Sequence, residues 1–288
     1  MTSKLTRRKF LGRTIGAAAG LALVGAGDAL FIEPKHPLAK RVDIQLNRLP
    51  DDFHGFRIAQ ISDIHFGPFM GKNGVKRALE VIRPFHPDVV LLTGDFVSHP
   101  VTGRHGPAGA RNAEPCADAL VEWKESPLVA ILGNHDHWNG AEIVAGALRE
   151  RGIELLRNTA MPIERNDRRI WLAGVDDALT RAADLEQTTR DVPSGETTVL
   201  LSHEPDYADY AARFPVDLQL SGHSHGGQVR VPGIGALILP EMATKYPSGL
   251  YQIGGLQLYT NCGLGVVTPP VRFNCPPEVT LLTLRGRA

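Results

Sequence analysis

Apolar residues along this chain fall into short unbroken runs, and most of those runs stop abruptly at an acid, an amide or an imidazole. "FRIAQISD" (56–63), "DVVLLTGD" (88–95), "PLVAILGNHDHW" (127–138), "IWLAGVDD" (170–177) and "TTVLLSHEP" (197–205) share this form, and an apolar run also precedes "SGHSH" (221–225). A continuous apolar run of this length reads as a strand buried on both faces. Between the runs the period changes. "NGVKRALEVIRPF" (73–85) puts Val75, Leu79 and Ile82 on one helical face, a second helix is expected over 114–125, and "GAEIVAGALRERG" (140–152) forms a third, closed by Gly152. The last forty residues, including "GLYQIGGLQLYTNCGLG" and "PPEVTLLTLRG", alternate and turn, which predicts antiparallel strands. Strands alternating with helices predict an α/β layered fold, with an all-strand tail completing a second sheet. "SHPVTGRHGPAGARNAEP" (98–115), rich in Gly, Pro and Arg, is expected to be a long mobile surface loop beside the polar strand ends.

Composition changes this picture little. The chain has 288 residues, 43% of them hydrophobic, enough for one large domain. Lys plus Arg and Asp plus Glu balance at 31 each, so no net field draws the protein to nucleic acid. The exception is the N-terminus, where Arg7-Arg8 and Phe10-Leu11 precede an uncharged stretch from Thr14 to Gly27. A basic region followed by a short apolar one reads as an export signal, and the paired arginines resemble the twin-arginine type. The stretch is shorter than the roughly 20 residues that cross a bilayer. Residues 1–32 are therefore a signal, cleaved or retained as a membrane tether, with a buried helix as the alternative; 33–55 are a linker and entry segment, and 56–288 the catalytic domain. An exported location follows: the outer face of the cytoplasmic membrane, periplasm or cell wall. Among the three cysteines, Cys262 and Cys275 either bridge or remain free thiols, and Cys-x-x-Cys spacing is absent.

The strand ends carry the chemistry. Ligands in α/β sheets bind beyond the carboxyl ends of the strands. Asp63, His65, Asp95, Asn134, His135, His203, His223 and His225 all follow apolar runs, so they are expected to gather on one rim. His223 and His225 are two positions apart, a spacing that puts both on one side of extended backbone. Imidazole, carboxylate and amide oxygen without thiolate suit Mn, Fe, Zn or Co rather than Ca. "HFGPFMG" (65–71) places Phe66, Phe69 and Met70 beside these donors, either as core packing or as an apolar lip for an acyl chain or membrane surface.

In order, Asp63-x-His65, Gly94-Asp95, Gly133-Asn134-His135-Asp136, His203 and Gly222-His223-x-His225 resemble the calcineurin-like metallophosphoesterase superfamily. With the export signal and "NCGLGVVTPPVRFNCPPEVTLLTL", the chain looks like its branch of twin-arginine-exported bacterial phosphodiesterases. The resemblance implies a four-layer sandwich of two mixed β-sheets flanked by helices. It implies two divalent metal ions, one on Asp63, His65, Asp95 and His225, the other on Asp95, Asn134, His203 and His223. It also implies phosphodiester hydrolysis by direct attack of a metal-bridging hydroxide, with His135 serving the leaving oxygen. The substrate implied is a phosphoester, lipid-linked or of the cell envelope. A pyrophosphatase acting on nucleotide-linked lipids and a non-catalytic metal-binding envelope protein are the rivals. Phosphoprotein phosphatases of the superfamily continue the Gly-Asp block with an Asp and an Arg, where this chain has Ser98 and His99, which argues against that activity. Asp136 and Ser98 are candidates to orient His135. His99 and His137 are candidates for a supporting or substrate role, and Cys262 stands where relatives carry Arg.

Overall fold

The computed structural model describes residues 7–98 and 106–286. The first sheet begins with β1 (Leu38–Gln45), β2 (Arg57–Ile61), β3 (Val89–Thr93), β4 (Leu128–Ile131) and the short β5 (Glu154–Leu155). The chain then builds a second sheet from β6 (Thr159–Arg165), β7 (Arg168–Gly174), β8 (Thr198–Leu201) and β9 (Leu218–Ser221). A two-residue hairpin, β10 (Arg230–Val231) and β11 (Gly235–Ala236), stands apart. Next, β12 (Gly249–Ile253) and β13 (Leu256–Thr260) complete the second sheet, and β14 (Glu278–Arg285) returns to the first. The sheet orders are β1-β14-β2-β3-β4-β5 and β12-β13-β9-β8-β7-β6.

The period-2 alternation of β3 explains the layering. Val89 and Leu91 face the second sheet, while Val90 and Leu92 face the outer helices. Ile58, Val129, Val199, Leu201, Leu218 and Leu220 join the first pair in the core between the sheets. Outside the first sheet pack α2 (Lys72–Ile82), α4 (Ala113–Leu120) and α5 (Asn134–Glu150), the first through Val75, Leu79 and Ile82 as the sequence predicts. The turn α3 (Pro107–Ala110) precedes α4. The second sheet is covered by α6 (Leu185–Thr189) and α7 (Ala208–Ala211), which bury Leu185, Ala208 and Ala211. The fold is the expected four-layer α/β sandwich of two mixed sheets.

Three expectations are corrected in detail. The tail is not uniformly antiparallel. Only β12 and β13 form an antiparallel hairpin, while β13 runs parallel to β9 and β14 runs parallel to β1 and antiparallel to β2. Part of 98–115 is helical, with α3 and the start of α4 inside it. A helical segment from Asn134 precedes the expected third helix, and the two meet at a break in helical backbone at Gly140 (φ 120°). Within 33–55, β1 pairs with β14 along its whole length.

At the N-terminus, α1 (Arg7–Gly27) runs into a wide turn over Asp28–Ile32. This turn docks on the body: Arg272 donates its backbone N–H to Ala29, and Glu33 accepts from the N–H of Cys275 at 2.6 Å. Among the described residues no helix is long and apolar enough to cross a membrane.

Strand direction positions the site. β2, β3 and β4 are mutually parallel, as are β7, β8, β9 and β13, so their carboxyl ends share a rim. Asp63, Asp95, Asn134, His203 and His223 lie just beyond those ends.

Candidate metal centre

The structure brings all seven predicted ligand residues, together with His135, to that rim. The donor atoms of Asp63, His65 and His225 lie within 4.8 Å of one another, as do those of Asp95, His203 and His223. Asp95 also groups with His65 and His135, and so stands between the two sets. Nε2 of His65 is 3.4 Å from Asp95 Oδ2, and Nε2 of His203 is 3.2 Å from the same oxygen. His225 Nε2 lies 3.4 Å from Asp63 Oδ1.

The backbone is bent to make this possible. Asp63 (φ 50°), His65 (φ 49°), Asp95 (φ 58°), His223 (φ 66°) and His225 (φ 50°) all adopt the left-handed region. Each such residue costs about 1–2 kcal/mol, and strain of this kind collects where function over-determines the geometry. Two glycines give the donors room. A Cβ on Gly94 (φ 91°) would meet His203 Nδ1 at 2.7 Å, and one on Gly222 would collide with Ser62 Oγ and Asp63 Oδ2.

Supporting bonds fix the rings. His203 Nδ1 donates to the Thr93 carbonyl at 2.7 Å, which turns Nε2 toward Asp95. His223 Nε2 donates to the Glu241 carbonyl at 2.8 Å, leaving Nδ1 for the centre. The backbone N–H of His223 donates to Asp63 at 3.0 Å, and that of His135 donates to Asp95 Oδ1 at 2.8 Å from the first turn of α5. The positive end of that helix therefore supports the shared carboxylate.

Electrostatics test whether cations fit. Burial holds His65, His225 and His223 below the ordinary imidazole value; neighbouring His135, Arg272 and His203, respectively, add to it. Burial also raises Asp63, partly offset by His203. For Asp95 burial pulls upward, yet His203 and His135 win and hold it well below the usual carboxylate range. His203 shows the converse: burial opposes its charge, but Asp95 and Asp63 raise it well above its ordinary value. His65 and His225 face each other through Nε2 at 3.0 Å. Asn134 Oδ1 is buried without a hydrogen-bond partner. An orphaned amide oxygen, two opposed ring nitrogens and a shared carboxylate fit divalent cations bound by nitrogen and oxygen.

Other candidates are placed elsewhere. Asp136, a candidate to orient His135, accepts the backbone N–H groups of Asp95, Phe96, Val97 and Gly133. It shapes the Asp95 turn, and burial with the Asp95 charge pushes its pKa up to about 7. His137 pairs with Asp176 at 2.6 Å, in a group with Arg157 away from the cavity. Cys262 lies beneath the site, hydrogen-bonded to Cys275, and both are free thiols. That bond raises Cys262 and lowers Cys275 to about 7. None of these three side chains lines the cavity, and His99 falls outside the described residues. Met70 is core, packed with Val75 and Leu79, whereas Phe69 is exposed.

Sequence reasoning missed two contributors. Arg272, fully buried, donates to the carbonyls of Cys262, Gly263, Gly265 and Cys275, and so braces the loop whose Gly265 N–H bonds the Asp63 carbonyl. An arginine in a Pro-rich tail with no acid nearby in sequence gives no such signal. The second is the far wall of a cavity of about 910 Å³ that opens from the centre, with Trp138, Leu237, Ile238, Val267 and Val271 in its lining.

Buried imidazoles and carboxylates arranged for divalent cations, at the mouth of a cavity on this sandwich, are the apparatus of a metal-dependent phosphoester hydrolase. The chain belongs to the calcineurin-like phosphoesterase family, whose sequence model matches residues 56–227. It is 34% identical over 290 residues to the metallophosphoesterase YkuE of Bacillus subtilis (strain 168), covering 98% of this chain and 99% of that one. It is 31% identical over 293 residues to the phosphodiesterase YaeI of Escherichia coli (strain K12), covering 97% and 99%. Among solved structures, the calcineurin-like phosphoesterase YfkN of Bacillus subtilis superposes with a TM-score of 0.46 at 11% identity, covering 80% of this chain and 91% of that one.

Proposed function

We propose that the protein is a phosphodiesterase that works with two divalent cations. The observation that carries this reading is the meeting of two donor groups at Asp95. Asp63, His65 and His225 would hold one ion with Asp95, and Asn134, His203 and His223 the other. When bound, such ions activate water and neutralise charge on the phosphoryl oxygens. The protein supplies the rest. Strained backbone and the glycine approaches hold the donors before any ligand arrives, so little reorganisation is needed during reaction. His135 lines the cavity with its ring 5.0 Å from Trp138 and edge-on to His65 at 4.7 Å. From there it gives a proton to the departing ester oxygen as the attacking oxygen joins phosphorus and the P–O ester bond breaks. The resemblance to a relative named as a phosphodiesterase supports the choice of diester.

The substrate we assign is a lipid-linked or cell-envelope phosphoester. Arg7 and Arg8, both exposed on α1, support export by the twin-arginine machinery to the outer face of the cytoplasmic membrane. The test is reconstitution with Mn²⁺, elemental analysis, and an assay on bis-p-nitrophenyl phosphate. Two ions per chain with turnover are expected. Full activity with a single ion overturns the dinuclear reading, and a two-ion protein inert with every divalent cation overturns the enzyme.

A further inference from the structure

The cavity is far larger and far less polar than hydrolysis of a phosphate ester requires. At about 910 Å³ it stands near the upper end of the range for drug-sized ligands, roughly 300–1,000 Å³. One end carries Asp95, Asn134, His135, His223 and His225. The lining also carries Leu237, Ile238, Val267 and Val271, with Gln228, Thr268 and Glu241 among them. Among the described residues no lysine or arginine lines the cavity. Val229 and Val271 are also walls of a neighbouring apolar cavity of about 510 Å³, whose other side is formed by Ala26, Ala29 and Leu30 at the N-terminal helix and by Phe273. Aliphatic surface therefore continues from the candidate metal centre to the segment that precedes the domain. It is open: Ile238 is 81% and Leu237 60% exposed. Exposed aliphatic residues gathered along a cavity mark a ligand or membrane surface rather than ordinary exterior.

From this continuity of polar centre and aliphatic wall, we infer that the cavity binds the hydrocarbon chain of an amphiphilic phosphoester. The phosphoryl group lies at the metal centre and the chain along Leu237, Ile238, Val267 and Val271 toward Phe273. This rests on the phosphodiesterase reading for the position of the phosphoryl group, but the aliphatic site makes a separate contribution to binding.

The test is calorimetric titration of metal-loaded and metal-free protein with butyl, hexyl and octyl phosphate, each below its micelle concentration, and with inorganic phosphate. Burial of each methylene is expected to tighten binding about fourfold, hence about 200-fold from butyl to octyl. Ile238→Asp, at an exposed position that does not threaten folding, and Val271→Asp should each cut that ratio at least tenfold. In metal-free protein the chain-length ratio should persist while overall affinity falls. A ratio below threefold in the wild type, or one unchanged in both variants, overturns the aliphatic site. Binding to phosphatidylcholine vesicles with no chain-length dependence for the soluble phosphates also overturns it, leaving a surface patch. If the ratio holds but inorganic phosphate binding is indifferent to metal and bis-p-nitrophenyl phosphate is not hydrolysed, the aliphatic site stands and the phosphodiesterase reading fails.

Discussion

The two ends of the cavity are built on opposite principles. At the polar end Asp63, His65, Asp95 and His203 are all at most 1% exposed, and five donors sit in left-handed backbone held by a network of N–H and carbonyl partners. At the aliphatic end, Leu237 and Ile238 stand in water, while Val267 and Val271 are half-buried. The first arrangement is pre-organised, with desolvation and strain already met by folding energy. The second gains its free energy only when something covers it. Substitutions at the polar end should therefore act steeply on chemistry, whereas those at the aliphatic end should act in a graded way on binding.

The largest effect is expected at the residue that joins the two donor groups. Asp95→Ala removes the carboxylate that both sets share and the acceptor of the His135 N–H. Turnover should fall about 10³-fold or more, the scale seen when a pre-organised electrostatic group is lost, and elemental analysis should show fewer than two ions per chain. A variant that kept two ions and near-normal turnover would separate Asp95 from the centre.

His135→Ala sharpens the comparison within the polar end, because its ring lines the cavity without belonging to either expected ligand set. Loss of a proton donor costs typically 10²–10⁴-fold in turnover. Metal content should stay at the wild-type value, and the loss should be smaller for a p-nitrophenolate leaving group, which needs no proton, than for an alkoxide. Equal losses on both would assign His135 to holding the site rather than to proton transfer.

Next comes the buried cation beneath the polar end. Among the described residues Arg272 forms no ion pair; it donates to four backbone carbonyls. Arg272→Met leaves those carbonyls unsatisfied and frees the loop that braces Asp63. Urea unfolding should report a loss of at least about 3 kcal/mol, since each buried carbonyl left without a donor costs about 1–3 kcal/mol. A change under about 1 kcal/mol would mean that water replaces the guanidinium without consequence.

How much of this was visible in the sequence follows the same division. The layered strands and the donor set were legible because each signal is periodic or rare: β3 alternates faces residue by residue, and imidazoles seldom follow strand after strand by chance. Asp136 could be named as a supporting candidate, but the four backbone N–H groups it accepts, that of Asp95 among them, are brought together only by the fold. The helix start at Asn134 was missed because Gly140 interrupts the helical period. Arg272 and the aliphatic wall were invisible for a common reason. Both are assembled by loops, from 262 to 275 and from 237 to 240, where neither period nor composition separates a brace or a binding surface from ordinary connection.

The smallest expected effect tests where the aliphatic surface lies. "HFGPFMG" offered a lip next to His65, but Met70 is 6% exposed and packs with Val75 and Leu79, while Phe69 is 48% exposed and does not line the cavity. Met70→Ser should cost about 2–5 kcal/mol, as truncation of a core side chain does. Phe69→Ser, at a surface position, should stay within about 0.5 kcal/mol. Neither should alter the preference for octyl over butyl phosphate, which Ile238→Asp should abolish. If Phe69→Ser lowered that preference as much as Ile238→Asp does, the chain would have to leave the centre past His65 instead, and the wall at 237–240 would lose its role.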